Sequence, residues 1–169
     1  SEYGDGDGTG LRMATNLCLD FRWLHPTAWC YWQVMDPTAG WGVIRYSGDT
    51  GQAGAVETKL YVLAQFTRHV RPGMRILGAA ADNAVAAYDQ NARRLVLAAV
   101  NTGAAQTITF DLSRFTTIPA STATRWTTVT ASGGDRYVRR VDVTPSGKTV
   151  RLAFPAASVQ TVQLDGVVI

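Results

Sequence analysis

Cysteine is scarce in this chain: Cys18 and Cys30 are the two among 169 residues, and their spacing specifies neither a bridge nor a metal site. One disulfide and two buried thiols both fit, and the thiols are favoured because free cysteine behaves as a small core hydrophobe. The compartment is therefore not legible from cysteine. Long apolar runs are missing as well. The longest falls far short of the roughly 20 residues a bilayer crossing needs, so no membrane span is expected. Clustered positive charge is absent despite a net charge of +3 and a pI near 9.1. Only Arg93-Arg94 and Arg139-Arg140 stand side by side, which argues for a solvated rim and against a nucleic-acid partner. No initiator methionine and no basic segment with an apolar stretch and cleavage site opens the chain, so it is expected to start in mature or internal sequence of a longer parent. What remains, 46% hydrophobic and 17% charged residues, is the composition of an ordinary folded protein able to bury a core.

Two periodicities divide the chain. Leu11, Ala14, Leu17, Cys18, Phe21 and Leu24 recur at intervals of three and four, the mark of one buried helical face, with Thr9 as the N-cap and Pro26 closing the segment. Thr27 to Val34 is aromatic-rich and apolar on both faces, as in a strand covered on both sides. A second helix is expected from Val56 to Val70, its stripe formed by Val56, Leu60, Leu63, Thr67 and Val70 and widened by Tyr61, Val62 and Phe66. Glu57 falls in its first turn, and Arg68, His69 and Arg71 lie at its end. Beyond Gly73 the helical period gives way to short alternating runs: Met74 to Ala79, Ala84 to Tyr88, Leu95 to Asn101, Thr107 to Leu112, Ala123 to Thr130, Val138 to Val143, Thr149 to Phe154 and Val159 to Leu164. Turn residues separate them at the spacing of an antiparallel sandwich.

Chemistry is densest at the start, where Glu2, Asp5 and Asp7 stand among four glycines before the first helix. A calcium loop would begin at Asp5 but has Asn16 where the bidentate Glu is required, and a phosphate loop would lack its Lys. Asp5 and Asp7 are readable as turn and helix-start residues. Glu2 precedes a loop between strand and helix, so it would sit at the C-terminal end of a parallel strand, where β/α barrels keep their catalytic groups. Trp32 and Gln33 end the next strand and Trp41 follows in its loop. Indole faces beside a carboxylate suit a sugar ring, whose C–H groups pack on the aromatic while the carboxylate meets the anomeric carbon. Core tryptophans beside a surface Glu are the plainer alternative.

The blocks Ser1-Glu2-Tyr3-Gly4-Asp5-Gly6-Asp7, Leu19-Asp20-Phe21-Arg22-Trp23-Leu24-His25-Pro26, Trp29-Cys30-Tyr31-Trp32-Gln33, Gly40-Trp41-Gly42, Tyr61-Val62-Leu63-Ala64-Gln65-Phe66 and Arg71-Pro72-Gly73 resemble, in this order, family 30 glycoside hydrolases, and within them the endo-β-1,6-galactanases. The resemblance is strong to about Gly73 and weaker beyond. It implies an α/β plus all-β fold: residues 1–73 as the last two β/α units of a (β/α)8 TIM barrel (strands and helices seven and eight), and residues 74–169 as an antiparallel β-sandwich side domain. It implies that Glu2 is the nucleophile of a retaining enzyme and that Tyr3, Trp32, Gln33 and Trp41 meet the sugar. A secreted, extracellular enzyme acting on β-1,6-galactan follows, with no cofactor and no metal.

The first six β/α units are absent, and with them the acid/base Glu that the family carries on strand four. The remainder of the barrel is thus an expected partner, and the chain alone is expected to be inactive. Another β-1,6-glycanase of the same family would use the same Glu2. The competing class is a non-catalytic carbohydrate-binding sandwich built on Trp126 and Tyr137, though such aromatics more often pack across strands. Partial barrel closure also predicts that the inward residues of Trp29 to Gln33 and parts of both helical stripes lie unusually exposed.

Overall fold

A computed structural model describes residues 2–169; Ser1, the first residue of the Ser1-Glu2-Tyr3-Gly4 block, lies outside the described residues. The chain begins with β1 (Glu2–Tyr3), α1 (Leu11–Leu19) and β2 (Cys30–Tyr31). β1 and β2 pair in parallel, Glu2 opposite Cys30 and Tyr3 opposite Tyr31, so the opening segment is a β/α/β unit. Next come β3 (Met35–Asp36), β4 (Ile44–Tyr46) and β5 (Ala53–Val56), a small separate sheet, and then α2 (Thr58–Thr67).

Eight strands follow: β6 (Arg75–Leu77), β7 (Ala84–Asp89), β8 (Arg94–Asn101), β9 (Gln106–Asp111), β10 (Ala123–Val129), β11 (Val138–Val143), β12 (Thr149–Phe154) and β13 (Ser158–Asp165). Each of the eight expected strands is present, to within two residues at either end. They form an antiparallel six-stranded sheet in the order β11-β10-β13-β8-β7-β6 and a two-stranded sheet, β12-β9. One face of the large sheet meets the small sheet in a core that includes Leu95, Leu97, Val150, Leu152, Phe154, Val162 and Leu164.

The other face of the large sheet is not solvated. Val85, Ala98, Val100 and Val159 pack there against Met13, Ala14, Leu17 and Cys18 of α1 and Val62 and Phe66 of α2. This arrangement explains why β8 reads as an unbroken apolar run, since its two faces serve two cores and alternation disappears. The expected exposure is met in part: Leu24, Val56 and Thr67 of the two stripes and Cys30 and Trp32 of the strand region are exposed, while the sheet covers Ala14, Leu17 and Cys18 of the first stripe.

Local differences from the sequence reading have physical causes. The first helix changes to a π-helical turn over Asp20–Leu24 and ends at His25 in the left-handed region, which rotates Leu24 off the buried face. Thr9 is not the N-cap. Gly10 holds that position at φ 79°, where a Cβ would lie 2.9 Å from the Lys59 Cα, so the close approach of α1 and α2 requires glycine. The strand expected from Thr27 to Val34 shortens to Cys30–Tyr31. Glu57 precedes α2 as its N-cap residue, and the last turn holds no basic side chain because Arg68, His69 and Arg71 follow it. Cys18 is buried, whereas Cys30 is an exposed free thiol, which corrects the reading of two buried ones.

The buried face of α2 is the largest correction. Lys59, Val62, Gln65, Phe66 and, just past its end, His69 are buried, while Leu60 and Leu63 are only half-buried and Val56 and Thr67 are exposed. Three polar residues line this face, and each has partners. Gln65 donates to Thr128 Oγ1 at 2.8 Å while its backbone carbonyl accepts from Thr161 at 2.7 Å, joining α2 to β10 and β13.

Candidate active site

β1 is two residues long and parallel to β2, so it holds Glu2 just before the loop that leads to α1, with the side chain exposed. Side chains two apart share a face of a strand, so Glu2, Cys30 and Trp32 lie on one side and Tyr3 and Tyr31 on the other. The ladder continues one step beyond the named strands, with Trp32 N donating to Tyr3 O at 2.7 Å. A Cβ at Gly4 would meet the Trp32 Cβ at 3.3 Å and its carbonyl at 2.7 Å, so Trp32 crosses next to the residue two past Glu2. The peptide joining Trp32 to Gln33 is cis. Trp32 is 55% exposed and Trp41 42%, high values for tryptophans in a folded chain.

Trp41 stands over the loop after β1, its indole Nε1 3.3 Å from where a Gly6 Cβ would be. That loop and the one between β3 and β4 also approach through backbone: a Cβ on Gly40, at φ 88°, would fall 2.5 Å from Gly6 O. Glu2, Trp32 and Trp41 thus belong to one edge formed by two adjoining loops. Gln33 is engaged elsewhere, its amide donating to Asp36 Oδ2 at 2.6 Å. Tyr3 lies on the face opposite Glu2, packed with Trp29 and the cluster beneath α1 and α2. Burial pushes its phenol well above the ordinary range, and the nearby Asp5 carboxylate adds to the shift. Geometry therefore gives Tyr3 a place under the edge and not on it.

The two aspartates are committed to structure. Asp7 accepts from Arg12 N and Thr9 N, both at 3.0 Å, and from Thr9 Oγ1 at 2.7 Å, closing the N-terminus of α1. Burial opposes its ionisation, but these hydrogen bonds win and hold its carboxyl below the usual range. Asp5 forms a buried ion pair with Lys59 at 2.9 Å. Among the described residues no group of three or more His, Cys, Asp or Glu is placed to hold a metal ion.

Lys59 escaped the sequence reading entirely. It was one cation in a helix whose apolar stripe was assigned to another face. The only signal was its place at the start of the series 59, 62, 66 and 69. Trp126 and Tyr137 do not form an open sugar platform: the His69 ring lies 4.2 Å from the Trp126 ring, and Tyr137 Oη is 2.7 Å from His69 Nε2. The side-by-side arginines are partly neutralised, Arg94 by Asp165 and Arg140 by Asp135.

No protein-family model matches the chain. Its sequence is 47% identical, over all of its length, to part of an endo-β-1,6-galactanase of Hypocrea rufa, and it spans 35% of that protein. A GH30 endoxylanase of Clostridium papyrosolvens superposes with a TM-score of 0.74 at 21% identity, covering 98% of this chain and 41% of the enzyme. A family 30 subfamily 8 xylanase of Clostridium acetobutylicum gives 0.75 at 20% identity, covering 98% and 42%. At those identities the two structures speak for the fold alone. The chain is thus similar, from end to end, to a part of a family 30 glycoside hydrolase, in sequence to an endo-β-1,6-galactanase, and its β-rich architecture is consistent with a C-terminal part.

Proposed function

We propose that this chain is the C-terminal portion of a secreted retaining glycoside hydrolase that cleaves β-1,6-linked galactan, with Glu2 as its nucleophile. One observation carries the reading: an exposed carboxylate in the short parallel strand of a β/α/β unit, next to the loop that leaves it, shares its face with the exposed Trp32 just past the neighbouring strand. On this reading β1, α1, β2 and α2 are the last two β/α units of a (β/α)8 barrel within residues 1–73, and residues 74–169 form the sandwich side domain. The 47% identity to a galactanase supports the substrate.

The chemistry assigns each group a step. Trp32 and Trp41 pack on sugar rings and set their orientation. A Glu2 oxygen attacks the anomeric carbon as the glycosidic bond breaks, and the departing oxygen takes a proton from an acid about 5–5.5 Å from Glu2. Asp5 and Asp7 are not that acid, being held by Lys59 and by the start of α1. The acid belongs to barrel segments outside these residues. The same acid, now a base, takes a proton from the water that releases the sugar from Glu2.

In the complete protein, Glu2→Gln should lower turnover of β-1,6-galactan by several orders of magnitude with an unchanged circular dichroism spectrum, because the amide keeps the shape and loses the nucleophile. Near-parental hydrolysis by that variant would remove Glu2 from the mechanism. A binding-only sandwich is disfavoured by the packing of Trp126 and Tyr137 on His69.

A further inference from the structure

A lysine without any exposed surface needs a reason, because stripping an ammonium of water is costly unless acceptors replace the water. Lys59 has four. Its Nζ donates to Asp5 Oδ1 at 2.9 Å and Asp5 O at 2.8 Å, both in the loop that follows Glu2. It also reaches Gly40 O and Tyr31 Oη, each at 2.5 Å, in the loop and strand that carry Trp41 and Trp32. Tyr31 extends the junction, its hydroxyl standing 2.7 Å from Trp41 O and 3.0 Å from Asp5 O. One ammonium on α2 therefore fastens the loop after β1 to Tyr31 of β2 and to the loop between β3 and β4 that carries Trp41. The far end of α2 is fixed in turn to the six-stranded sheet through Gln65.

We propose that Lys59, relayed by Tyr31, is a positioning residue that sets Glu2 against the indoles of Trp32 and Trp41. It does not touch the sugar. The proposal rests on Glu2 being the nucleophile and concerns how that carboxylate is aimed. Aim matters because a reacting atom displaced by about 1 Å can lose on the order of 10²-fold in rate.

The test uses the complete protein and a mechanism-based label, a 2,4-dinitrophenyl 2-deoxy-2-fluoro-β-galactobioside with a β-1,6 linkage. Glu2 attacks its anomeric carbon, the bond to the aryl oxygen breaks, and dinitrophenolate departs with the electron pair. That leaving group needs no proton, so the labelling rate reads the aim of Glu2 without the acid. Tyr31→Phe should slow labelling about 10-fold and Lys59→Met about 10²-fold, each with kcat on galactan falling more than KM changes. Tyr31→Phe keeps the ring and the Lys59–Asp5 pair, so it serves if Lys59→Met does not fold. Labelling of Tyr31→Phe at the parental rate would overturn the proposal while leaving the nucleophile assignment standing. A parent protein labelled nowhere, or on a residue other than Glu2, would overturn the nucleophile assignment and this proposal with it.

Discussion

Exposure separates side chains that serve the edge from those that build it. Trp32 keeps 55% of its surface, so truncation to alanine removes little of the burial that makes a core tryptophan worth about 3–5 kcal/mol. Trp32→Ala in the complete protein is expected to lower kcat/KM roughly 10-fold or more and to shift Tm by at most a few degrees. A large thermal loss with an unchanged specificity constant would return Trp32 to the core. His69 represents the opposite case. Burial, helped by the Arg68 and Arg94 cations, pushes its pKa down to about 4, and the Nε2 of the neutral ring is hydrogen-bonded to Tyr137 Oη at 2.7 Å. The unfolded chain, with a His pKa near 6.5, takes up the proton first. This contribution to stability is therefore complete above pH 6.5 and is lost as pH falls toward 4. At pH 5 the loss is about 1–2 kcal/mol. His69→Gln should show a correspondingly smaller difference in urea stability between pH 7 and pH 5. An identical difference in the two proteins would mean that His69 is not what titrates.

Among the elements, α2 is where pattern and burial part company. Its buried face carries Lys59 and Gln65 with Val62 and Phe66, so an apolar stripe drawn from leucines and valines lands on the wrong side. The helix is held by specific partners as much as by apolar area. Removing one member of the buried pair leaves the other charge uncompensated, so Lys59→Met is expected to cost about 3–5 kcal/mol. Lys59→Met with Asp5→Asn should recover part of that loss, because the amide carries no charge to strand. Equilibrium urea unfolding of both variants in the complete protein measures the difference. A double variant no more stable than the single one would show that the neighbouring carbonyls, and not the carboxylate charge, dominate the cost. α1 behaves more simply: Met13, Ala14, Leu17 and Cys18 repeat on one face and are buried as such, until the π-helical turn rotates the pattern away.

Across the chain as a unit, the six-stranded sheet is the shared partner of the β12-β9 sheet on one face and of both helices on the other. Helices and sandwich should therefore unfold together. Residues 1–169 expressed alone are expected to show one calorimetric transition whose van't Hoff and calorimetric enthalpies agree, and, on the proposed mechanism, no hydrolysis of β-1,6-galactan, since the acid is assigned to barrel segments outside these residues. Two separate transitions would mean that α1 and α2 detach from the sheet. Measurable hydrolysis would place the acid within this chain.

Local order alone determined a good deal. The strands after Gly73 appear where short β-rich runs between turn residues put them, β12 alternating because its two faces differ in solvent exposure and β8 unbroken because both of its faces are covered. Glu2 was legible as a strand end before a glycine-rich loop, and the ordered blocks carried the resemblance to family 30. Tertiary structure decided which side each residue faced and what met it there. The sheet covers Ala14, Leu17 and Cys18 of the first stripe but leaves Leu24 and Val56 exposed; Tyr3 turns under the edge; Trp126 and Tyr137 close on His69. The Lys59–Asp5 pair joins residues 54 positions apart, and Lys59 also reaches Tyr31, 28 positions away. Periodicity registers whether a face is buried in apolar company, which is a property of near neighbours. It has no register for a cation whose acceptors arrive from two distant loops, and so the residue that joins those loops was visible only in the fold.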